Sequence, residues 1–486
     1  MAGSILLFGC LLAVSQGCYN KKNVLFLIAD DGGFEASVYN NSAIRSPNID
    51  ALGAMSTIFD RAFTSVSSCS PSRSAILTGM PTHQNGMYGL EHATHHFRSF
   101  DDVRSLPMLL AYAGYRTGII GKKHVAPEAV YPFNFSKTEF DDPGMSRQFG
   151  RNITLIKELA DSFLDECQHD SSPIFLYIGF RDPHRCGGAA GSFCEVWGSG
   201  GDNGVIPDWK PQYYQPEEIK VPYHVPDTPA ARDDLTKQYT SISRMDQGIG
   251  LLIESFKKHG LLNSTLIVYF SDNGIPFPAA KTNLYECGMG EPLFVYSPTA
   301  KAQGIHSRVL ASSLDLVPTV LDWSDVKYPS YKLNGMEVNL TGHSLLPVVE
   351  GHADPKDYDT VFASHQMHEV TMYYPMRVIH QGSYKLILNI ANNLSYPIAE
   401  DLYGSETWQD VLKREAQGQA QHWYRTINQY YFRPKWELFN LESDPMELHN
   451  LADDTAHTET LQSLQQQLKT WQHKTNDPWM VKYTHE

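Results

Sequence analysis

The stretch "NVLFLIADDGG" (23–33) sets the strongest limit on what this chain folds into. An unbroken apolar run that stops on two acids and two glycines offers no polar face to solvent. It reads as a strand covered on both sides, as in a parallel sheet. "TLIVYFSDNG" (265–274) repeats the pattern, "PIFLYIGFRDPH" (173–184) is a third case and "YRTGIIGKKH" (115–124) a shorter fourth. Helical patterns alternate with these runs over 105–113, 153–167 and 231–259. Alternation of this kind predicts an α/β fold with a large, mainly parallel sheet flanked by helices. In such sheets ligands bind beyond the carboxyl ends of the strands. All four runs end there in polar or charged residues.

The texture changes near residue 355. "MRVIHQGSYKLILNI" (376–390) predicts a hairpin turning at Gln381-Gly382, "KWELFNLESDPMELHNL" (435–451) a strand and turn, and 458–473 an amphipathic helix. The expected division is a signal peptide over 1–18, a catalytic domain over 19–355 and a smaller α+β domain with an antiparallel sheet over 356–486. The signal rests on the apolar block 5–14, followed by small and polar residues, and it is too short to span a bilayer. No later segment approaches the roughly 20 apolar residues of a membrane helix, so no membrane span is expected.

Export makes the sequons at Asn40, Asn134, Asn152, Asn263, Asn339 and Asn393 glycosylation candidates. It also gives the seven cysteines meaning. Cys186 and Cys194 are spaced for a local disulfide, Cys10 and Cys18 fall in the signal region, and Cys167 and Cys287 have no evident partners. Cys69, in "SSCSPSR", is the odd one, because exported chains usually pair their cysteines or lack them. The net charge of −15 argues against general nucleic-acid binding. An anionic substrate would need a local cluster of cations.

Asp30, Asp31, Asp272 and Asn273 converge if their two strands are parallel neighbours. Three carboxylates and a carboxamide are hard oxygen ligands that suit Ca²⁺ or Mg²⁺ better than zinc. Either pair alone reads as a turn or helix cap; both together, each on a strand end and each followed by Gly, read as a metal site. Lys122 and His124 stand at another strand end, His184 at a third, and Arg73 four residues after Cys69. Singly these are ordinary surface residues; clustered, they would hold a sulfate or phosphate. The residues alone thus describe an exported hydrolase with a hard divalent cation, acting on an anionic ester or amide.

"CSPSR" resembles the C-x-P-x-R signature of the type I sulfatases, with "LTG" (77–79) following. "ADDGG", "GKKH", "DPH", "SDNG" and the late "WELFNLESDPMELHNL" fall in the family's order, over nearly the whole chain after the signal. The resemblance implies an alkaline-phosphatase-like sulfatase fold. It also implies that the formylglycine-generating enzyme oxidises Cys69 to formylglycine, an aldehyde whose hydrate carries two hydroxyls. One attacks sulfur and the leaving group departs; deprotonation of the other re-forms the aldehyde and expels sulfate. By the same resemblance Asp30, Asp31, Asp272 and Asn273 hold one Ca²⁺ per subunit. Arg73 and Lys122 stabilise the hydrate, His124 takes the proton that triggers elimination, His184 contacts the sulfate and protonates the leaving nitrogen, and Lys281 also holds the sulfate.

Further stretches, among them "AFTSVSSCSPSR", "HQNGMYGL", "DPHRCG", "SDNGIPFP" and "HEVTMYYPMR", are similar to the sulfamidase branch of the family. That branch implies removal of the N-sulfate from non-reducing-end N-sulfoglucosamine of heparan sulfate, in the lysosome, by a homodimer reached through the secretory pathway. Two positions depart from the branch: Lys281 stands where Arg is expected, and Arg181 where His is expected. An O-sulfatase acting on a glycosaminoglycan or sulfated glycolipid shares every catalytic motif. A phosphatase or phosphonate hydrolase is disfavoured by the intact C-x-P-x-R, and an inactive glycan-binding protein by the full set of metal ligands and the cysteine.

Overall fold

The computed structural model describes residues 22–142, 146–168, 172–186 and 192–480. The expected signal, with Cys10 and Cys18, lies outside them. Eight strands form the main sheet: β1 (Asn23–Ala29), β2 (Thr57–Phe59), β3 (Arg116–Gly121), β4 (Phe135–Thr138), β5 (Ile174–Gly179), β6 (Thr265–Ser271), β7 (Leu293–Tyr296) and β8 (Ile305–Ser307). Their order is β4-β3-β5-β1-β6-β7-β2-β8. The four apolar runs are the central strands, and all pairings from β4 to β6 are parallel. Beyond β6 the sheet reverses, with β7 antiparallel to both β6 and β2.

Why the runs are unbroken is visible in β1. Leu25, Leu27 and Ala29 pack on one face of the sheet, and Val24, Phe26 and Ile28 on the other, all fully buried. Each large side chain contributes about 1.5–3 kcal/mol by leaving water, so a polar residue on either face would be costly. The first face is covered by α4 (Ile153–Gln168) and the long α5 (Pro229–Lys258), the second by α2 (Cys69–Thr78), α3 (Leu106–Tyr112) and α6 (Leu316–Trp323); α1 (Pro47–Met55) joins the first. The start of α5 is written in its sequence. The Thr228 hydroxyl accepts from the Ala231 N–H, Pro229 occupies the first turn, and Lys257 and Lys258 lie in the last turn.

The chain then forms a four-stranded antiparallel sheet from β9 (Thr360–His365), β10 (Met376–Gln381), β11 (Tyr384–Asn389) and β12 (Trp436–Asn440). The expected hairpin is β10–β11, closed by the pair Gln381 and Tyr384 across Gly382 and Ser383. One face of this sheet packs on α8 (Thr458–Lys474), through Leu464, Leu468 and Trp471. The other packs on Trp408 and Val411 of α7 (Glu406–Ala416), and also on Phe63, Leu284, Tyr285 and Met289 from the part of the chain that builds the main sheet. The second sheet is therefore seated on the loop that follows β6.

Cys186 and Cys194 are disulfide-bonded, with Cα atoms 5.6 Å apart. The Cys287 thiol donates to the Ala279 carbonyl at 2.9 Å. Asn40, Asn134, Asn263, Asn339 and Asn393 are exposed, whereas Asn152 is half-buried and its side-chain oxygen accepts from the Leu155 N–H at 3.1 Å. No helix among the described residues is long and apolar enough to cross a membrane.

Candidate active site

Parallel pairing of β1 and β6 runs in register from Asn23 opposite Thr265 to Ala29 opposite Ser271, so the acids that follow each strand emerge side by side. Asp30, Asp31, Asp272 and Asn273 are all fully buried. Asn273 Nδ2 donates to Asp31 Oδ1 at 2.7 Å, and the Asp31 N–H donates to Asp272 Oδ1 at 3.1 Å. Asp31 has φ of 62°, a left-handed conformation in which a non-glycine residue is strained.

Cys69 is the first residue of α2, a helix buried along its whole length. Its sulfur lies in a group with ligand atoms of Asp30, Asp31 and His184, all within 4.8 Å of one another. Burial pushes the Cys69 thiol up, and the nearby Lys122 and Lys281 offset only part of that. The side chain is therefore held as a neutral thiol, a weak nucleophile as it stands.

Three cations interlock with the carboxylates. Arg73, four residues along α2, is completely buried; its Nε and Nη2 bind Asp272 Oδ2 at 2.9 and 2.8 Å, and its Nη1 donates to the Tyr177 hydroxyl at 3.2 Å. Lys122 Nζ donates to both oxygens of Asp30, at 2.7 and 2.6 Å. Lys281 Nζ donates to Asp31 Oδ2 at 2.9 Å and Asp401 Oδ2 at 2.7 Å, and lies 3.1 Å from His184 Nε2. Those three contacts use all three ammonium protons. His184 Nδ1 faces the Arg185 carbonyl at 2.6 Å, which fixes its proton there and leaves Nε2 to accept from Lys281. Burial and the Lys281 charge together hold the His184 pKa well below the usual imidazole range.

His124 stands outside this network. The Glu139 carboxylate accepts from the backbone N–H groups of both Lys123 and His124, at 2.8 Å each, and holds His124 at φ of 54°. Its Nε2 lies 2.5 Å from His92 Nδ1, while its Nδ1 is buried with no protein partner. Burial, then Lys122, His92 and Arg73, hold its pKa well below the ordinary value. A histidine kept neutral in this way still accepts a proton at acidic pH, where an unperturbed one is already charged.

Sequence reasoning missed Asp401, Glu139, Tyr177, His92 and His368, whose Nδ1 lies 2.8 Å from the Ser68 hydroxyl. None carries a local signal: Asp401 lies 120 positions from Lys281 and arrives from the segment between β11 and α7. All the residues read as catalytic or as ligands do converge, His124 through its backbone and His92 rather than through the carboxylates.

The residues fit a hard divalent cation. Asn273 Oδ1 is buried and has no protein partner, which is costly for a carbonyl unless something binds it. With all groups ionised, Asp30, Asp31, Asp272 and Asp401 outnumber Arg73, Lys122 and Lys281 by one charge. Burial first, and then the neighbouring carboxylates, push Asp31 up to about 6 and Asp272 to about 7, against the pull of their cationic neighbours. A divalent cation would relieve that and turn the site net positive, as an anionic substrate needs.

Residues 22–326 match the family model described as Sulfatase, and residues 401–474 match one described as N-sulphoglucosamine sulphohydrolase, C-terminal. The chain is 52% identical over 465 residues to human N-sulphoglucosamine sulphohydrolase, covering 94% of this chain and 91% of that protein. It is 24% identical over 477 residues to an ulvan-active sulfatase of Formosa agariphila, covering 93% and 74%. Among solved structures, that of BT4656 in complex with its substrate D-glucosamine-2-N,6-O-disulfate superposes with a TM-score of 0.65 at 19% identity, covering 94% of this chain and 99% of that one.

Proposed function

The chain belongs to the sulfatase family, and from that premise we propose that it is a sulfamidase that hydrolyses the N-sulfate of non-reducing-end N-sulfoglucosamine in heparan sulfate. The observation that carries this reading is the 52% identity to human N-sulphoglucosamine sulphohydrolase along 94% of the chain. The site supports it: a buried, unreactive thiol stands among three cations, beside a set of hard oxygen donors. The substrate in the BT4656 complex, D-glucosamine-2-N,6-O-disulfate, is a glucosamine bearing an N-sulfate and agrees in class.

On this reading Cys69 is converted by the formylglycine-generating enzyme to an aldehyde, whose hydrate supplies the nucleophilic hydroxyl and a second hydroxyl to re-form the carbonyl. Calcium, one per subunit, is the cation held by Asp30, Asp31, Asp272 and Asn273, supported by the all-oxygen donor set; when bound it supplies Lewis-acid charge at the sulfate. Arg73 and Lys122, fixed by buried carboxylates, stabilise negative charge at position 69 without reorganising. His124 accepts the proton of the second hydroxyl at its unpartnered Nδ1. Lys281 and His184 form one hydrogen-bonded pair, in which the Lys281 ammonium holds the proton that His184 Nε2 takes up and then gives to the leaving nitrogen once the two part. Lys281 in place of arginine keeps the positive charge but not the planar fork.

The enzyme of this reading is a lysosomal homodimer that arrives through the secretory pathway. Five exposed sequons and a general base held neutral at low pH support that location. The test is sulfate release at acidic pH from two oligosaccharides, one ending in N-sulfoglucosamine and one in 6-O-sulfated N-acetylglucosamine, with Cys69→Ser as control. Release from the first alone, lost in the variant, is the expected result. Release from the second alone moves the protein to the O-sulfatases.

A further inference from the structure

His124 makes one side-chain hydrogen bond to protein, and its partner is another histidine. His124 Nε2 and His92 Nδ1 are 2.5 Å apart, with ring centroids at 4.7 Å and planes 38° apart. His124 is buried, at 6% exposure, whereas His92 is exposed to solvent. The pair therefore runs from a buried, unpartnered Nδ1 on His124 to a solvent-exposed ring on His92. His92 lies in the long segment 79–105 between α2 and α3, within "EHATHHF", and nothing in the catalytic motifs points to it.

Building on the function proposed above, we propose that His92 is the outer member of a histidine relay, carrying to solvent the proton that His124 takes from the reacting group. The tautomers follow from the contacts. For Nδ1 of His124 to accept, its proton resides on Nε2 and is donated to His92 Nδ1, so the His92 proton is on Nε2, facing water. A proton arriving at His124 Nδ1 displaces the Nε2 proton to His92 Nδ1, and His92 releases its Nε2 proton to water. One proton enters and one leaves; both rings exchange tautomer, and a proton travelling the other way resets them. The surroundings of His92 favour passage over storage: partial burial first, and then the charges of Lys122, His95, Arg181 and Lys281, oppose a resting imidazolium. Around His124, Lys122 and Arg73 act in the same sense, with Asp30 the one opposing charge among the leading influences.

His92→Gln and His92→Ala test this. Glutamine keeps an oxygen to accept from His124 Nε2 but cannot pass the proton on. The relay predicts that both variants lose about tenfold in kcat, less than the roughly 10²–10⁴-fold that a general acid–base group itself contributes, while KM stays within about twofold and the acid limb of the pH profile moves. Full kcat in the glutamine variant would show that His92 only orients His124 and would overturn the relay, as would unchanged kcat in both. The comparison is run on whichever of the two glucosamine sulfates the wild type hydrolyses, so a wrong substrate class shows in the wild type and a wrong relay only in the variants. A second readout needs no turnover: ring-nitrogen NMR of ¹⁵N-histidine-labelled protein, with His124 assigned through His92→Gln. The expected pattern is protonated Nε2 and bare Nδ1 on His124; a proton on Nδ1 would contradict the proposal.

Discussion

At the level of single residues the site is a charge balance completed from outside the chain. Asn273 contributes a buried carbonyl oxygen without a protein partner, and Asp31 and Asp272 are buried carboxylates that pay to stay ionised. Chelator treatment should therefore lower the unfolding midpoint by a few degrees, and added Ca²⁺ should restore it. A cation at a hundredfold its Kd stabilises by about 2.7 kcal/mol. In Asn273→Ala the response should need much higher Ca²⁺, read by thermal unfolding across a Ca²⁺ series; an identical response in variant and wild type would place the cation elsewhere. The sequence disclosed Asp30, Asp31, Asp272 and Asn273 because each follows an apolar run whose strand direction could be inferred. Asp401, Glu139 and His92 stayed hidden because each acts through a contact between distant parts of the chain or from a loop without periodicity.

At the level of elements, the strand ends aim the chemistry. β3 stops at Gly121, with φ of 93°, and a Cβ there would lie 2.1 Å from the Gly179 carbonyl oxygen on the neighbouring β5. Only glycine fits, and the chain then turns into Lys122, Lys123 and His124. Gly121→Ala should cost more than about 2 kcal/mol through strain and clash, and it should displace Lys122 from Asp30. Denaturant midpoints test the first part and sulfate release from the folded fraction the second; a variant of wild-type stability and rate would refute this account of the turn. The parallel centre of the sheet, the β10–β11 hairpin and α8 were all legible from periodicity and turn residues. The reversal at β7 was not, because "LFVY" is a short apolar run whose direction depends on pairing partners far away in sequence.

Across the whole molecule two sets of buried groups oppose each other in pH. Burial raises Glu35, Asp315 and Glu447 to about 7 and Asp246 to about 6. Raised carboxyls stabilise the fold fully below their unfolded values, and that stability is lost as pH climbs through the folded ones. Burial lowers His83, His224 and His365 to about 3 and His380 to about 4. Lowered histidines stabilise above their unfolded pKa, and that stability is lost as pH falls toward the folded values. The two slopes cancel in part between roughly pH 4.5 and 6.5, the span set by the unfolded values. Thermal unfolding should therefore show a broad stability maximum in that interval, falling on both sides. A midpoint rising steadily to pH 8 would contradict this balance.

The central claim is that this site works through an aldehyde made from Cys69. The most direct measurement is the mass of the peptide carrying residue 69, taken from enzyme produced with and without the formylglycine-generating enzyme, alongside the sulfate released by each preparation. The account predicts that activity tracks the aldehyde fraction and vanishes where the thiol remains. Full activity in a preparation whose Cys69 is entirely thiol would contradict it.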